Sequence, residues 1–173
     1  MKSQSASFLD GHAQFETAIL SKMSSAEILW GLYQDHCTWE RHHEEQRATA
    51  TNILIAVAAG ILSIMSLDGI GESDLPLAFF LMTQGLFGAV FAAKQYERFA
   101  RHQNLAKKYR DALDKEFADA HIVQLRNTGD DEHQRNYGSL SKLRLKWFWI
   151  SLHLIIAVFG LVLAGIILLA HSK

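Results

Sequence analysis

The sequence predicts an all-α membrane protein with three transmembrane helices and two long cytosolic helical extensions. Three stretches, 48–67, 75–93 and 147–170, contain no Asp, Glu, Lys or Arg. Each has about the 20 residues that a helix needs to cross a hydrocarbon core about 30 Å thick. The charged residues, 20% of the chain, concentrate instead in 22–47 and 94–146. This segregation of charge excludes a soluble globular domain.

The three apolar stretches must be helical, because an open strand would leave backbone groups unpaired in hydrocarbon. The third stretch is the most hydrophobic, and it begins with Trp147, Phe148 and Trp149. Aromatic residues at this position typically anchor a helix at the membrane interface. The first 23 residues lack the apolar core of a secretory signal, so we expect no cleavage there.

The positions of Lys and Arg predict the orientation, since these residues favour the cytosolic side. Clusters flank all three stretches at one side of the membrane: Arg41 and Arg47, then Lys94, Arg98 and Arg101, then Lys142, Arg144 and Lys146. The connection 68–74 holds three acids and no basic residue, which predicts a short outer turn. We therefore expect a cytosolic N-terminus and a C-terminus outside. Cys37, the single cysteine, fits a reducing cytosol and excludes an internal disulfide.

Helix signals divide the polar parts of the chain. Ser24 and Glu27 have the spacing of a capping box, which predicts a helix over 24–47 that continues into the first span. Helical spacing of apolar residues after the second span predicts a cytosolic helix over 94–126. Gly and Asn between Asn127 and Gly138 predict a polar loop within 127–146, with the third helix starting near Ser139. In the N-terminal segment 1–23, four apolar residues predict a short extra helix: Phe8, Phe15, Ile19 and Met23.

Small and polar residues recur on one face of the first span. They fall at steps of three and four and are Thr49, Asn52, Ala56, Ala59, Ser63 and Ser66. In lipid, such a face should turn towards another helix or towards water. It can therefore pack against a helix or line a pore. Gln84 and Gly88 of the second span are further candidates for lining a pore, and Gln84, near mid-membrane, needs a polar partner.

A run of basic residues continues from the second span into the cytosolic helix. Beyond Lys94, its candidate ligand-binding residues are Arg98, Arg101, Lys107, Lys108 and Arg110. The residues nearest the membrane are explained by topology and contact with anionic headgroups. Lys107, Lys108 and Arg110 lie two or more turns further, where either a solvated face or a site for an anionic nucleotide or oligonucleotide remains open.

The histidines do not predict a metal site or an enzyme. His42 and His43, beside Glu44 and Glu45, are the only adjacent histidine pair, and neighbouring residues point in different directions around a helix. We expect them to form a solvated cluster at the interface. No catalytic motif or phosphate-binding glycine loop is present, so we expect no cofactor and no enzymatic activity. His153 in the third span is expected to bond a neighbouring backbone group.

The architecture resembles that of the SLATT family of small bacterial membrane effectors. The resemblance covers residues 24–117, where a cytosolic helix enters a two-span hairpin with an acidic outer turn. The long helix that follows carries its pattern in Tyr96, Glu97, Arg98, Phe99 and Ala100, then Leu105, Ala106, Tyr109 and Leu113. It implies an inner-membrane location in a bacterium, a pore that depolarises infected cells, and a link to antiphage systems that signal with nucleotides.

Two hypotheses for function follow. The first is a homo-oligomeric pore gated by a cytosolic nucleotide or single-stranded oligonucleotide, which a paired nucleotidyltransferase-type enzyme would produce. The second is a non-conducting membrane scaffold that recruits a cytosolic partner. An interfacial lipid-modifying enzyme that uses the histidine cluster is a weaker third hypothesis. Three helices of one chain enclose no useful conduit, so a pore requires several copies.

Overall fold

The computed structural model describes residues 24–67 and 69–171, and within them every regular element is helical. Four α-helices follow one another: α1 (Ser25–Leu67), α2 (Leu75–Glu116), α3 (Ile122–Tyr137) and α4 (Leu145–His171). Short 3-10 turns, Glu72–Asp74 and Ala118–Ala120, precede α2 and α3. The all-α prediction is therefore confirmed for the described residues. The helix predicted within 1–23 lies outside them.

Helix α1 begins at the predicted capping box. The backbone N–H of Ser24 donates to the Glu27 carboxylate at 2.8 Å, and the Ser24 hydroxyl accepts from the Glu27 backbone N–H at 3.3 Å. The bond from the Ser24 backbone N–H, together with one from the Ser24 hydroxyl at 3.1 Å, keeps the pKa of the exposed Glu27 carboxyl below its usual value. From there α1 continues unbroken for 43 residues, about 65 Å, which confirms that the polar helix and the first apolar stretch are one element.

A tight turn joins α1 to α2. Gly69 has a φ of 79°, in the left-handed region that suits glycine. The Asp74 carboxylate accepts from the Gly71 backbone N–H at 2.9 Å, and Pro76 lies in the first turn of α2, where its missing N–H costs nothing. Helix α2 then runs to Glu116. The segments 25–47 of α1 and 94–116 of α2 carry many charged residues and lie side by side. We call these two segments the polar arms.

Two predicted bounds are wrong: the helix expected over 94–126 ends at Glu116, and the third apolar helix begins at Leu145 and not near Ser139. The polar loop predicted over Asn127–Gly138 is wrong as well, because α3 is helical through Tyr137. None of its residues is buried, so local interactions support it. The Asp114 carboxylate of α2 accepts from the Val123 backbone N–H at 3.0 Å, and Arg126 pairs with Asp130 one turn along at 3.0 Å. Such pairs stabilise a helix by a few tenths of a kcal/mol, which helps to offset the roughly 1 kcal/mol cost of Gly129.

Helix α2 is central and packs against both α1 and α4. Its contact with α4 is close because glycines lie in it: a Cβ on Gly85 would collide with Ala157, and one on Gly160 would lie 2.5 Å from the Met82 backbone nitrogen. The apolar core joins all three helices, with members Ala58, Ile61, Met65, Ala78, Leu81, Leu163, Ala164 and Ile167. The interior of one chain is therefore filled with side chains.

Helices α1, α2 and α4 are each long and apolar enough to cross a membrane. Much of their apolar surface faces outwards, since only 17% of the most apolar window of α1 is buried, and 33% of that of α4. Large side chains such as Phe87, Val90 and Leu169 are at least 62% exposed. Helices that are hydrophobic on all sides and not covered by protein are typical of a membrane environment.

Candidate functional site

The small and polar face of the first apolar stretch, here called the α1 stripe, is exposed along its whole length. It comprises Thr49, Asn52, Ala56, Ala59, Ser63 and Ser66. The residues that α1 buries against α2 and α4, including Thr51, Ala58 and Met65, lie on the opposite side of the helix. The stripe therefore points away from the other two apolar helices of its own chain.

The polar side chains of the α1 stripe differ in how they are satisfied. Ser63 donates to the Ala59 carbonyl at 2.9 Å and Ser66 to the Ser63 carbonyl at 2.8 Å, so both hydroxyls are bonded within α1. The side chains of Thr49 and Asn52 form no hydrogen bond with any other described residue. The Asn52 amide, with two donors and an acceptor, is thus the group in the stripe with the greatest need for a partner.

Gln84 and Gly88 do not lie beside the α1 stripe. Both are buried between the helices of one chain, where the Gln84 amide donates to the Leu54 carbonyl of α1 and Gly88 receives the ring of His153. The expectation that Gln84 needs a partner is confirmed. In a single chain, these two residues form helix contacts and do not line a conduit.

A buried polar layer, which sequence reasoning missed, links α1 to α4. The Thr51 hydroxyl and His153 Nε2 are 3.2 Å apart, and both residues are 1% exposed. His153 thus bonds a side chain of another helix and not the neighbouring backbone group that we expected. Thr51 lies on the side of α1 opposite to the α1 stripe, and no signal in the sequence pairs it with a residue 102 positions away. Within this layer His153 Nδ1 and Gln84 Oε1 have no hydrogen-bond partner among the described residues.

The polar layer ends at Arg47, which is only 5% exposed. Such deep burial is unusual for a charged residue. Its guanidinium lies 3.3 Å from the Glu44 carboxylate and 5.5 Å from the centre of a Trp149 ring. The cation–π contact fastens the start of α4 to α1. Trp149 therefore has a packing role in addition to the interfacial anchoring predicted for it.

Two of the predicted ligand-binding residues, Arg98 and Arg101, line a groove of about 350 Å³ between the polar arms. Lys94 and Glu97 of α2 also line it, as do Trp39 and His43 of α1 and His102 of α2. We call this set the basic groove. Lys94 pairs with Glu97, whereas neither Arg98 nor Arg101 forms an ion pair with a described carboxylate. The hydrogen bond from Lys94, reinforced by nearby positive charge, lowers the pKa of Glu97.

The remaining predicted ligand residues are separated from the basic groove. Lys108 follows Arg101 along the same face and shares a neighbouring groove with it. Lys107 and Arg110 project from the other side of α2, where Lys107 reaches Gln103 at 3.4 Å and Arg110 pairs with Asp111 at 2.6 Å. The structure therefore brings together Arg98 and Arg101, extends their line to Lys108, and excludes Lys107 and Arg110.

Histidines from both polar arms meet beside the basic groove, and two of them, His43 and His102, line it. His36 and His102 face each other with 2.8 Å between their Nδ1 atoms, and His43 Nδ1 lies 2.9 Å from Gln95 Oε1. Burial, followed by the proximity of His36, lowers the pKa of His102. His42 points elsewhere, to Gln46. No three His, Cys, Asp or Glu side chains of the described residues are placed to hold a metal ion.

The chain was compared with known proteins. No protein-family model matches it, and neither the curated proteins nor the solved structures contain a significant match.

The α1 stripe and the basic groove differ in what they can do. The α1 stripe presents small side chains and a free amide, which suit contact with another helix or with water and offer no catalytic group. The basic groove combines two unpaired guanidinium groups with an exposed indole and imidazoles. Such a set recognises anions, because guanidinium groups bind carboxylate or phosphate through two parallel hydrogen bonds.

Proposed function

We propose that the protein is a homo-oligomeric membrane pore of the bacterial inner membrane, with the α1 stripe of each copy directed towards the other copies and the pore axis. Helices α1, α2 and α4 span the bilayer, the polar arms and the N-terminus lie in the cytosol, and the C-terminus lies outside. The outward-facing apolar surface of the three helices supports insertion. The distribution of Lys and Arg supports the orientation.

The observation that carries the proposal is the exposure of Asn52 on the side of α1 opposite to its own bundle. Thr51 and Gln84 find partners inside the chain, and Ser63 and Ser66 find them inside the helix, but Asn52 does not. An unpaired amide in hydrocarbon costs several kcal/mol, so it should contact a second copy or water. A ring of copies supplies both.

A single chain cannot conduct, since its interior is filled by the core around Met65 and Leu81. The conduit therefore has to form between copies, where a ring of stripe residues provides hydroxyl, amide and small side chains at a water-filled axis. We further propose that the polar arms sense a cytosolic nucleotide or oligonucleotide, made by a paired signal-producing enzyme in antiphage defence. The resemblance to SLATT effectors and the basic groove support this part.

Disulfide crosslinking tests the arrangement without requiring an open pore. In a Cys37→Ser background, Asn52→Cys and Ser63→Cys should each form disulfide-linked dimers in membranes. Thr83→Cys is the matched control, because Thr83 is an exposed hydroxyl in α2 that is bonded within its own helix, as Ser63 is. If the stripe variants stay monomeric under oxidation, or crosslink no better than Thr83→Cys, the proposal that the α1 stripe faces other copies is wrong.

Ion flux from liposomes containing the purified protein tests conduction. We expect flux from the wild type, and its loss in Ser63→Leu, which adds bulk to the stripe. An oligomer of normal size with no flux would place Ser63 at the axis, and a smaller oligomer would place it in a contact between copies. Crosslinked oligomers that never conduct, with nucleotides and oligonucleotides present or absent, would favour the scaffold over the pore.

A further inference from the structure

We infer that the basic groove is a binding site for a phosphate group, carried either by a soluble nucleotide or by an anionic lipid headgroup. This inference deepens the proposed function, and rests on it for the placement of the groove beside the cytosolic surface of the membrane. It assigns anion binding to a groove between the two polar arms, and not to the whole basic run along α2.

The charges of the groove favour an anion. Three cations and one carboxylate line it, and the carboxylate, Glu97, is held by Lys94. Arg98 and Arg101 are exposed, lie one turn apart, and have no described acidic partner, so their hydrogen-bond donors are available. Two adjacent guanidinium groups can clamp one phosphate from two sides, with hydrogen bonds about twice as strong as those between neutral groups.

The walls of the groove add recognition beyond charge. The Trp39 indole is 44% exposed and stacks on His102, with ring centres 6.0 Å apart and planes inclined by 22°. One side of the indole thus lies against His102, and much of its surface stays exposed. An aromatic base can stack on such a platform, which is worth about 1–3 kcal/mol for a nucleotide base. A phosphorylated ligand with a base therefore fits the groove better than phosphate alone.

The depth of the groove allows both sources of phosphate. At 1.5 Å per residue, Arg98 lies about 8 Å and Arg101 about 12 Å beyond residue 93, where the predicted second span ends. The headgroup region of one leaflet is about 5–8 Å thick. Lys94 is therefore at headgroup depth, Arg98 at the outer edge, and Arg101 in water. A lipid phosphate would reach the groove from the membrane side and a soluble phosphate from the cytosolic side.

Calorimetric titration of ATP and of pyrophosphate into the full-length protein tests the site. The protein would be held in nanodiscs of phosphatidylcholine, with a parallel sample in phosphatidylcholine and phosphatidylglycerol. The test variant is Arg98→Gln with Arg101→Gln. The matched control is Lys107→Gln with Arg110→Gln, which removes the same charge from the other side of the same helix. All four residues lie outside the apolar core, and circular dichroism would verify the helix content.

We expect the Arg98/Arg101 variant to lose about a hundredfold in affinity, and the Lys107/Arg110 control to lose little. For a soluble ligand, ATP binds in both kinds of nanodisc, and Trp39→Leu weakens ATP more than pyrophosphate. For a lipid ligand, ATP does not bind in the nanodiscs that contain phosphatidylglycerol. Native mass spectrometry then shows phosphatidylglycerol retained by the wild type and lost from the arginine variant.

Two results would overturn the inference. One is a wild-type protein that binds neither ATP nor pyrophosphate and also retains no phosphatidylglycerol. The other is an equal loss of binding in the two double variants, which would indicate unspecific attraction to a positive surface. Neither result depends on conduction or crosslinking, so the groove and the pore can fail separately. Lost crosslinking of the α1 stripe with intact phosphate binding would reject the pore arrangement alone.

Discussion

Thr51→Val is the most direct test of the packing described here, because it removes the hydroxyl of the buried polar layer and keeps the shape of the side chain. The hydroxyl lies 3.2 Å from His153 Nε2, and both residues are 1% exposed. Without it, His153 would have no hydrogen-bond partner on either ring nitrogen, since Nδ1 already has none. Hydrogen bonds between membrane helices measure about 0.6 kcal/mol on average and about 1.7 at most. We expect a value near 1 kcal/mol here, because both groups are buried.

A double-mutant cycle with His153→Ala isolates this hydrogen bond from the cavity that each variant creates. The free energies of unfolding would be measured in mixed micelles by titration with dodecyl sulfate or by steric trapping. Thr51→Val should cost about 1 kcal/mol in the wild type and almost nothing in His153→Ala. Thr51→Ser should keep the coupling, since it retains the hydroxyl. A coupling energy of zero, with both single variants folded, would show that the contact does not hold α1 to α4.

Two further predictions concern the topology and the polar arms. In a Cys37→Ser background, cysteines introduced at Ser73 and at Asn127 should react with an impermeant thiol reagent from opposite sides of the membrane, and labelling of both from one side would reject the three-span orientation. The pKa of His102 is lowered mainly by burial and then by His36, His43 and Arg101, whereas Asp35 has the opposite effect. His102 therefore binds a proton more readily when the arms are separated than when they are packed. The packed arrangement should therefore be fully stable above the ordinary histidine pKa of about 6.5, and lose stability as the pH falls through that value. Spin labels at Ser25 and Glu116, whose side chains touch at the tips of the arms, should move apart between pH ~7.5 and pH ~5. The response should vanish in His102→Gln and persist in His133→Gln, and an unchanged distance in the wild type would contradict it.

The sequence predicted those features that depend on local composition or periodicity. Charge segregation located the three apolar helices, and the Ser24–Glu27 spacing located the start of α1. The α1 stripe was visible because its residues recur at helical spacing. The sequence did not predict that the α1 stripe is exposed on the side opposite to the bundle, because the burial of a helix face depends on which neighbouring helix covers it.

The features that the sequence did not predict depend on contacts between distant residues. Thr51 and His153 are in different helices, and the third helix could have packed on several faces of the hairpin. Arg98 and Arg101 lie on a different face of α2 from Lys107 and Arg110, and the position of that face relative to α1 decides which pair lines the groove. The error at α3 has another cause, since an ion pair between Arg126 and Asp130 and a carboxylate from α2 stabilise a helix whose own residues favour a loop.

The proposed pore and the inferred groove are linked by one rigid element. His43, in the groove, and Asn52, in the α1 stripe, are nine residues apart in the unbroken helix α1, or about 14 Å. A ligand that draws Arg98 and Arg101 towards Trp39 would shift α1 relative to α2, and α1 would transmit that shift to the stripe. The polar layer lies at the level where such a shift has to be absorbed. There Gln84 Oε1 and His153 Nδ1 have no partner in the part of the chain that the structure describes. An alternative packing of the helices would therefore break fewer hydrogen bonds than in a layer whose polar groups are all bonded. For a gated pore, the arrangement requires two packings of α1 against α2 and α4 that differ by only a few kcal/mol, and the incompletely bonded layer is where the described residues come closest to providing them.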